Sequence, residues 1–231
     1  MVLFTSLSPR HHNKDRQQAC LDSWNKAGVE CFSVNSKKEI PEVNYKGVTI
    51  LENNDFYFRN NRCYTKLNSI FKEALERVND YLILTNSDIE CVYTKDELTS
   101  LCEKAKGGVL CLNRWEYTDD KSECIIDRKG FDTFIIPKSI IPLYTESPFV
   151  LGLTHFDFWI PYRAQKNNIP IYRTNDKVIL HKRHKLHYDS KEWQITGKWL
   201  SDLEGLIQFN YNTRKISDYV FSEIQKKFIT I

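Results

Sequence analysis

The sequence predicts an α/β fold: a mostly parallel sheet flanked by helices, with a less regular second half. Two observations carry that prediction. The first half alternates strand-like and helix-like patterns in the order β-α-β-β-α-β-α-β, which argues for parallel pairing with helices on both faces. Within it, Tyr81, Leu82, Ile83 and Leu84 form a short apolar run that opens at once into the polar stretch Thr85, Asn86, Ser87, Asp88. That is the pattern of a buried strand whose carboxyl end faces a loop.

Taken in order, residues 2–5 read as a first strand and 6–12 as a polar loop. Residues 13–27 have helical spacing through Ala19, Cys20, Ser23 and Trp24, and Gly28 suits a helix stop. Strands follow at 29–34 and 48–51. Residues 60–78 read as one helix, with Leu67, Ile70, Phe71, Ala74, Leu75 and Val78 recurring at three and four. After the central strand come a helix at 95–106, closed by Gly107-Gly108, and a strand at 109–112. The second half offers a strand at 130–137, a loop at 142–148 and a helix from the segment 154–157 through 167. It continues with short strands at 169–172 and 178–180, a basic histidine-rich run at 181–187 and a polar loop at 188–197. Closing helices are expected at 199–209 and 216–228. No Gly/Ser-rich linker divides the chain, so residues 1–231 read as one domain: a nucleotide-type half, 1–112, and a variable half, 113–231.

Composition narrows the function classes. With 33 Lys and Arg against 30 Asp and Glu, the net charge of +3 gives no excess for binding a polyanion. Seven cysteines at 20, 31, 63, 91, 102, 111 and 124 contain no CxxC pair, and they read as free, mostly buried thiols rather than a zinc cluster. No apolar run approaches the ~20 residues of a membrane span, and the N-terminus is too short and polar for a signal peptide. A cytoplasmic protein is expected.

In an open α/β sheet, ligands bind outside the carboxyl ends of the strands. The cluster after Leu84 therefore has two readings. It is a turn in which Asn86 and Asp88 bond nearby backbone, or a hard-cation site where Asp88, with Asn86, holds a divalent metal that grips a diphosphate. If the backbone stays extended, residues 86, 88 and 90 share a face and Glu90 joins them.

The alternation, the strand ending NSDIE, the later GFDTFIIPKS and the segment HFDFW together resemble the GT-A glycosyltransferases, over roughly residues 1–190. The resemblance implies a GT-A-like sheet and transfer of a hexosyl or pentosyl group from a nucleotide-sugar, with a UDP-sugar favoured. The family's strand-end metal motif falls on Asn86 and Asp88, so an amide replaces its first acid. A late histidine completing a Mn2+ or Mg2+ shell matches His181, with His184 next. Thr5, Ser6 and Arg10 fall where the base and ribose lie. Arg62 and Lys66, a turn apart on the expected helix, would contact the nucleotide. Asp157 matches the acidic residue that takes the acceptor proton in inverting members, and otherwise reads as a helix N-cap. Asp132 falls on a cleft wall within reach of a sugar hydroxyl. Trp115, Tyr117, Phe156 and Trp159 are candidates for stacking on a sugar ring or for the core. The acceptor is a glycan, a lipid-linked sugar or a hydroxymethylated nucleic-acid base; Lys182–Lys185, Arg214-Lys215 and Lys226-Lys227 could follow a phosphate backbone. A nucleotidyltransferase is the alternative, although SPRHHNKDR lacks the expected glycine-rich loop; a non-catalytic binding module is another.

Overall fold

The computed structural model describes residues 1–9, 13–184 and 190–231. The strands and helices are β1 (Val2–Thr5), α1 (Lys14–Lys26), β2 (Glu30–Ser36), β3 (Thr49–Asn53), the hairpin β4 (Phe56–Arg59) and β5 (Arg62–Thr65), and α2 (Leu67–Arg77). The central strand β6 (Tyr81–Thr85) leads to β7 (Ile89–Cys91), α3 (Lys95–Lys104), β8 (Val109–Tyr117) and β9 (Ile125–Pro137). The chain ends with α4 (Phe156–Lys166), β10 (Ile171–Lys182), α5 (Ser190–Glu204), α6 (Thr213–Gln225) and β11 (Phe228–Thr230).

Among the described residues one nine-stranded sheet runs in the order β11-β10-β8-β9-β6-β1-β2-β3, with β7 laid against β10. Neighbours pair in parallel except at β9, which runs against both β6 and β8, and at β7 against β10. The carboxyl ends of β1, β2, β6, β8 and β10 therefore share one edge.

Leu82, Ile83 and Leu84 are fully buried because helices cover both faces of the sheet, which is why the strand reads as a continuous apolar run rather than an alternation. Leu82 and Leu84 point into one core with α2, α4 and α6, and Ile83 into the other with α1 and α3. Trp159 and Trp24 are buried on opposite faces; truncating either to alanine would cost about 3–5 kcal/mol. All seven cysteines are free, and five are buried.

Several expectations are corrected. The helix expected over 60–78 starts only at Leu67, because Asn60 and Asn61 adopt positive φ (49° and 59°) and fold the preceding residues into the β4–β5 hairpin. Arg62 thus begins a strand and Lys66 caps the helix start, so they are not a helical turn apart. The loop expected at 188–197 is α5 from Ser190 onward. The two short strands at 169–172 and 178–180 are one strand, β10, with a register shift between Thr174 and Ile179. The last helix stops at Gln225 and the chain returns to the sheet as β11. Gly197 lets α5 approach α6: a Cβ there would lie 2.1 Å from Thr213 Cγ2.

The join between α4 and the closing helices is polar. His155, at φ 73°, precedes α4. Its Nδ1 lies 2.8 Å from Thr196 Oγ1 on α5 and its Nε2 2.8 Å from Ser217 Oγ on α6. Burial pushes this imidazole down to about 4. The unfolded chain therefore takes up a proton below about pH 6.5 that the folded chain refuses, and stability falls between pH 6.5 and 4, by up to ~3 kcal/mol. Urea unfolding of His155→Gln should show lower stability at pH 7 and a flatter dependence across that window than the parent protein.

Candidate functional site

The site forms where β6 ends. Ser87 and Asp88 make a turn before β7, so the extended arrangement of residues 86, 88 and 90 is not what the chain adopts. The three side chains go three ways. Asn86 donates from Nδ2 to Asp132 Oδ1 at 2.9 Å, and its backbone N–H donates to the Asp132 carbonyl at 3.1 Å. Antiparallel β9 makes this possible by setting Thr133 opposite Thr85, which brings Asp132 beside Asn86. Asp88 turns toward β10. Glu90 is buried beneath Arg16 (2.6 Å), Tyr117 Oη (2.9 Å) and Lys121.

Asp88 meets two histidines. Its Oδ2 lies 3.4 Å from His181 Nε2 and 3.1 Å from His184 Nε2, and the two imidazole nitrogens are 3.2 Å apart. Antiparallel pairing of β7 with β10 sets Ile89 opposite His181 and so brings the strand end to the histidines. These three ligand atoms lie within 4.8 Å of one another. Burial alone would raise the Asp88 carboxyl, but contact with His181 and His184 outweighs it and holds the group below its usual range. An anionic oxygen and two imidazole nitrogens converging on one point form a donor set that fits a divalent cation. Two nitrogens suit Mn2+ better than Mg2+, which prefers an all-oxygen shell.

Asp157 stands in the first turn of α4. Its Oδ1 is shielded from solvent and has no hydrogen-bond partner. Burial, and then the charge of Asp132, push this carboxyl up to about 7, against the opposing pull of the Phe158 backbone N–H and of Arg114. A carboxyl so poised can accept a proton near neutral pH. Asp132 is itself paired with Arg114 Nη1 at 2.7 Å.

The remaining sequence candidates lie as follows. Thr5 is buried at the end of β1, and Ser6 Oγ is 2.9 Å from Thr65 Oγ1. Lys66 pairs with Asp55 at 2.5 Å, and Arg62 is exposed on the hairpin. Arg10 and His187 lie outside the described residues. Phe156 and Trp159 belong to the core, the latter donating to Glu204 Oε1 at 2.9 Å. Tyr117 is buried against Arg16 and Glu90. The structure thus brings together Asp88, His181 and His184, and separately Asn86 and Asp132, whose charge is felt at Asp157. Sequence reasoning missed Arg114 and Glu116, whose signal is their spacing of two along one strand, and Arg16 with Lys121.

No family model matches the chain, and no curated protein matches it. Solved structures do. The mannosyltransferase PcManGT of Pyrobaculum calidifontis, in complex with GDP-Man and Mn2+, superposes with a TM-score of 0.57 at 9% identity, over 98% of this chain and 73% of that one. The 1–349 fragment of S. aureus TarS, in complex with UDP-GlcNAc, gives 0.54 at 14% identity over 87% of this chain. This chain spans 66% of that fragment's length, and 42% of the longer TarS structure, which gives 0.50 at 10% identity. At these identities the likeness is one of fold, and the fold is GT-A-like, a mostly parallel mixed sheet flanked by helices.

Proposed function

We propose that this chain is a divalent-metal-assisted glycosyltransferase, carrying a hexosyl or pentosyl group from a nucleotide-sugar, a UDP-sugar first among candidates, to an acceptor hydroxyl. One observation carries the reading. A carboxylate and two histidines converge at the carboxyl end of the central strand of a GT-A-like sheet, where such sheets take their ligands. The nucleotide-sugars held by PcManGT and TarS support the donor class.

Asp88, His181 and His184 would hold the cation, which when bound neutralises charge on the departing diphosphate. Asn86 braces the wall through Asp132 and gives no charge to the cation. Asp157 takes the proton from the acceptor hydroxyl as its oxygen bonds the anomeric carbon. The bond from that carbon to the diphosphate oxygen breaks with its electron pair, releasing the nucleoside diphosphate with inversion. Thr5 at the end of β1, Ser6 just after it, Arg62 on β5 and Lys66 at the start of α2 remain candidates for the nucleotide, as does Arg10, which lies outside the described residues. The acceptor is assigned only as a hydroxyl, with glycan, lipid-linked sugar and modified base as the classes to test.

Asp88→Ala should abolish Mn2+-dependent binding of UDP in titration calorimetry and remove donor turnover in a panel of UDP-, GDP- and CMP-sugars; unchanged Mn2+ dependence would sink the metal site. In the parent protein Mn2+ should support more turnover than Mg2+. Asp157→Asn should keep donor binding while lowering transfer by a factor of about 100 or more. The same variant has a second signature. Because the folded carboxyl titrates above its unfolded value, its contribution is present below about pH 4 and is lost as pH rises toward 7. The asparagine variant should therefore melt at higher temperature than the parent at pH 8, by about 1–4 kcal/mol in stability, with the advantage vanishing near pH 4. The N-cap of α4 is His155, not Asp157 as the sequence suggested, and a variant that keeps full transfer would reduce Asp157 to an acidic residue in the first turn of that helix.

A further inference from the structure

The cation site has an outer layer of its own, and its meaning rests on the metal-assisted reading above. Strands β8 and β10 run in parallel with Glu116 directly opposite His181. Opposed residues on neighbouring strands project to the same face. Glu116 Oε1 lies 3.6 Å from His181 Nδ1, while the other ring nitrogen, Nε2, faces Asp88 and His184. Nε2 can offer its lone pair to a cation only if the ring proton sits on Nδ1. That Nδ1 is buried and has no partner at hydrogen-bond distance, and Glu116 is the carboxylate across from it.

Glu116 is itself fixed from two sides. Arg183 Nε donates to its Oε2 at 2.7 Å, and Arg114 Nε lies 3.1 Å from its Oε1. Arg114 cannot swing away, because its remaining nitrogens are held by Asp127 at 2.6 Å and Asp132 at 2.7 Å. The backbone makes room for this. The β8–β9 register shifts on either side of Asn113, as at bulges that re-aim a side chain. A Cβ on Gly130 would stand 2.7 Å from Arg114 Nη2 and 2.8 Å from its Cζ.

We propose that Glu116, held by Arg114 and Arg183, is the positioning residue for His181, keeping the ring proton on Nδ1 and aiming Nε2 at the cation. Outer-layer carboxylates of this kind typically change metal affinity 10–100-fold when removed.

The test uses the full chain, with Mn2+ alone as the probe. Glu116→Ala should weaken Mn2+ binding about tenfold or more, read by electron paramagnetic resonance titration. In 15N-labelled, metal-free protein, long-range proton–nitrogen spectra should show His181 moving from the Nδ1–H toward the Nε2–H tautomer. Glu116→Gln keeps an acceptor oxygen and should retain most of the affinity and the original tautomer. A folded Ala variant with unchanged Mn2+ affinity and unchanged His181 tautomer would overturn the proposal. So would an equal loss in both variants, which would make the role one of charge. If the parent protein binds no Mn2+ at any concentration tried, the metal-assisted reading fails, and the tautomer comparison still decides whether Glu116 places the proton.

Discussion

The whole carboxyl edge depends on one strand running the wrong way. In an all-parallel sheet the strand beside β6 would bring its own carboxyl end to the edge and then leave it. β9 instead approaches the edge from the loop and runs away from it, so Asp132 arrives level with Asn86 and Asp127 level with Arg114. The guanidinium of Arg114 then finds carboxylates on three sides. A buried cation costs several kcal/mol to desolvate and is tolerated only with such compensation. Two strand reversals, β9 against β6 and β7 against β10, therefore build the two halves of the site. One braces Asn86 and adds the charge of Asp132 to the burial that raises Asp157, and the other carries Asp88 to His181.

That division explains an apparent defect in the strand-end motif. An amide in place of the first acid would leave the shell of the proposed cation one charge poorer. In the proposed site the second histidine would replace a ligand though not a charge, and the amide takes up bracing that an ionised acid could not, since Asn86 donates to Asp132 at 2.9 Å. Two facing carboxylates at that distance would share a proton or repel. The substitution is thus consistent with a working cation site of different composition.

The alternating architecture was legible in the sequence because burial on both faces leaves continuous apolar runs such as Leu82–Leu84, and amphipathic helices such as α2 announce themselves by spacing. Asp88 stood out by its place after the central strand and His181 by the GT-A resemblance, and the structure sets the two 3.4 Å apart. The hairpin was readable in retrospect: Phe56–Arg59 and Arg62–Thr65 flank an Asn-Asn pair, a two-residue turn signal, but the strong helical period beginning at Leu67 extended the helix reading backward over it. What periodicity could not give was register. That Glu116 faces His181, or that Asp132 meets Asn86, depends on strand order and on bulges near Asn113, which leave no mark in local composition. The turn at Ser87-Asp88 defeated the shared-face argument for Glu90 for the same reason: one change of backbone direction reassigns every side chain after it.

The cysteines carry a practical consequence. Burial pushes the Cys20, Cys31 and Cys102 thiols up to about 12 and Cys91 to about 11, and raises Cys111 well above the usual thiol range. A thiol is nucleophilic only as its thiolate, so these five are inert toward alkylating reagents while the fold persists. Cys63 and Cys124 are the partly exposed pair, one on the β4–β5 hairpin and one in the loop between β8 and β9. Without any engineering, a maleimide fluorophore would select those two positions, giving one spectroscopic reporter on the β4–β5 hairpin and one on the loop between β8 and β9.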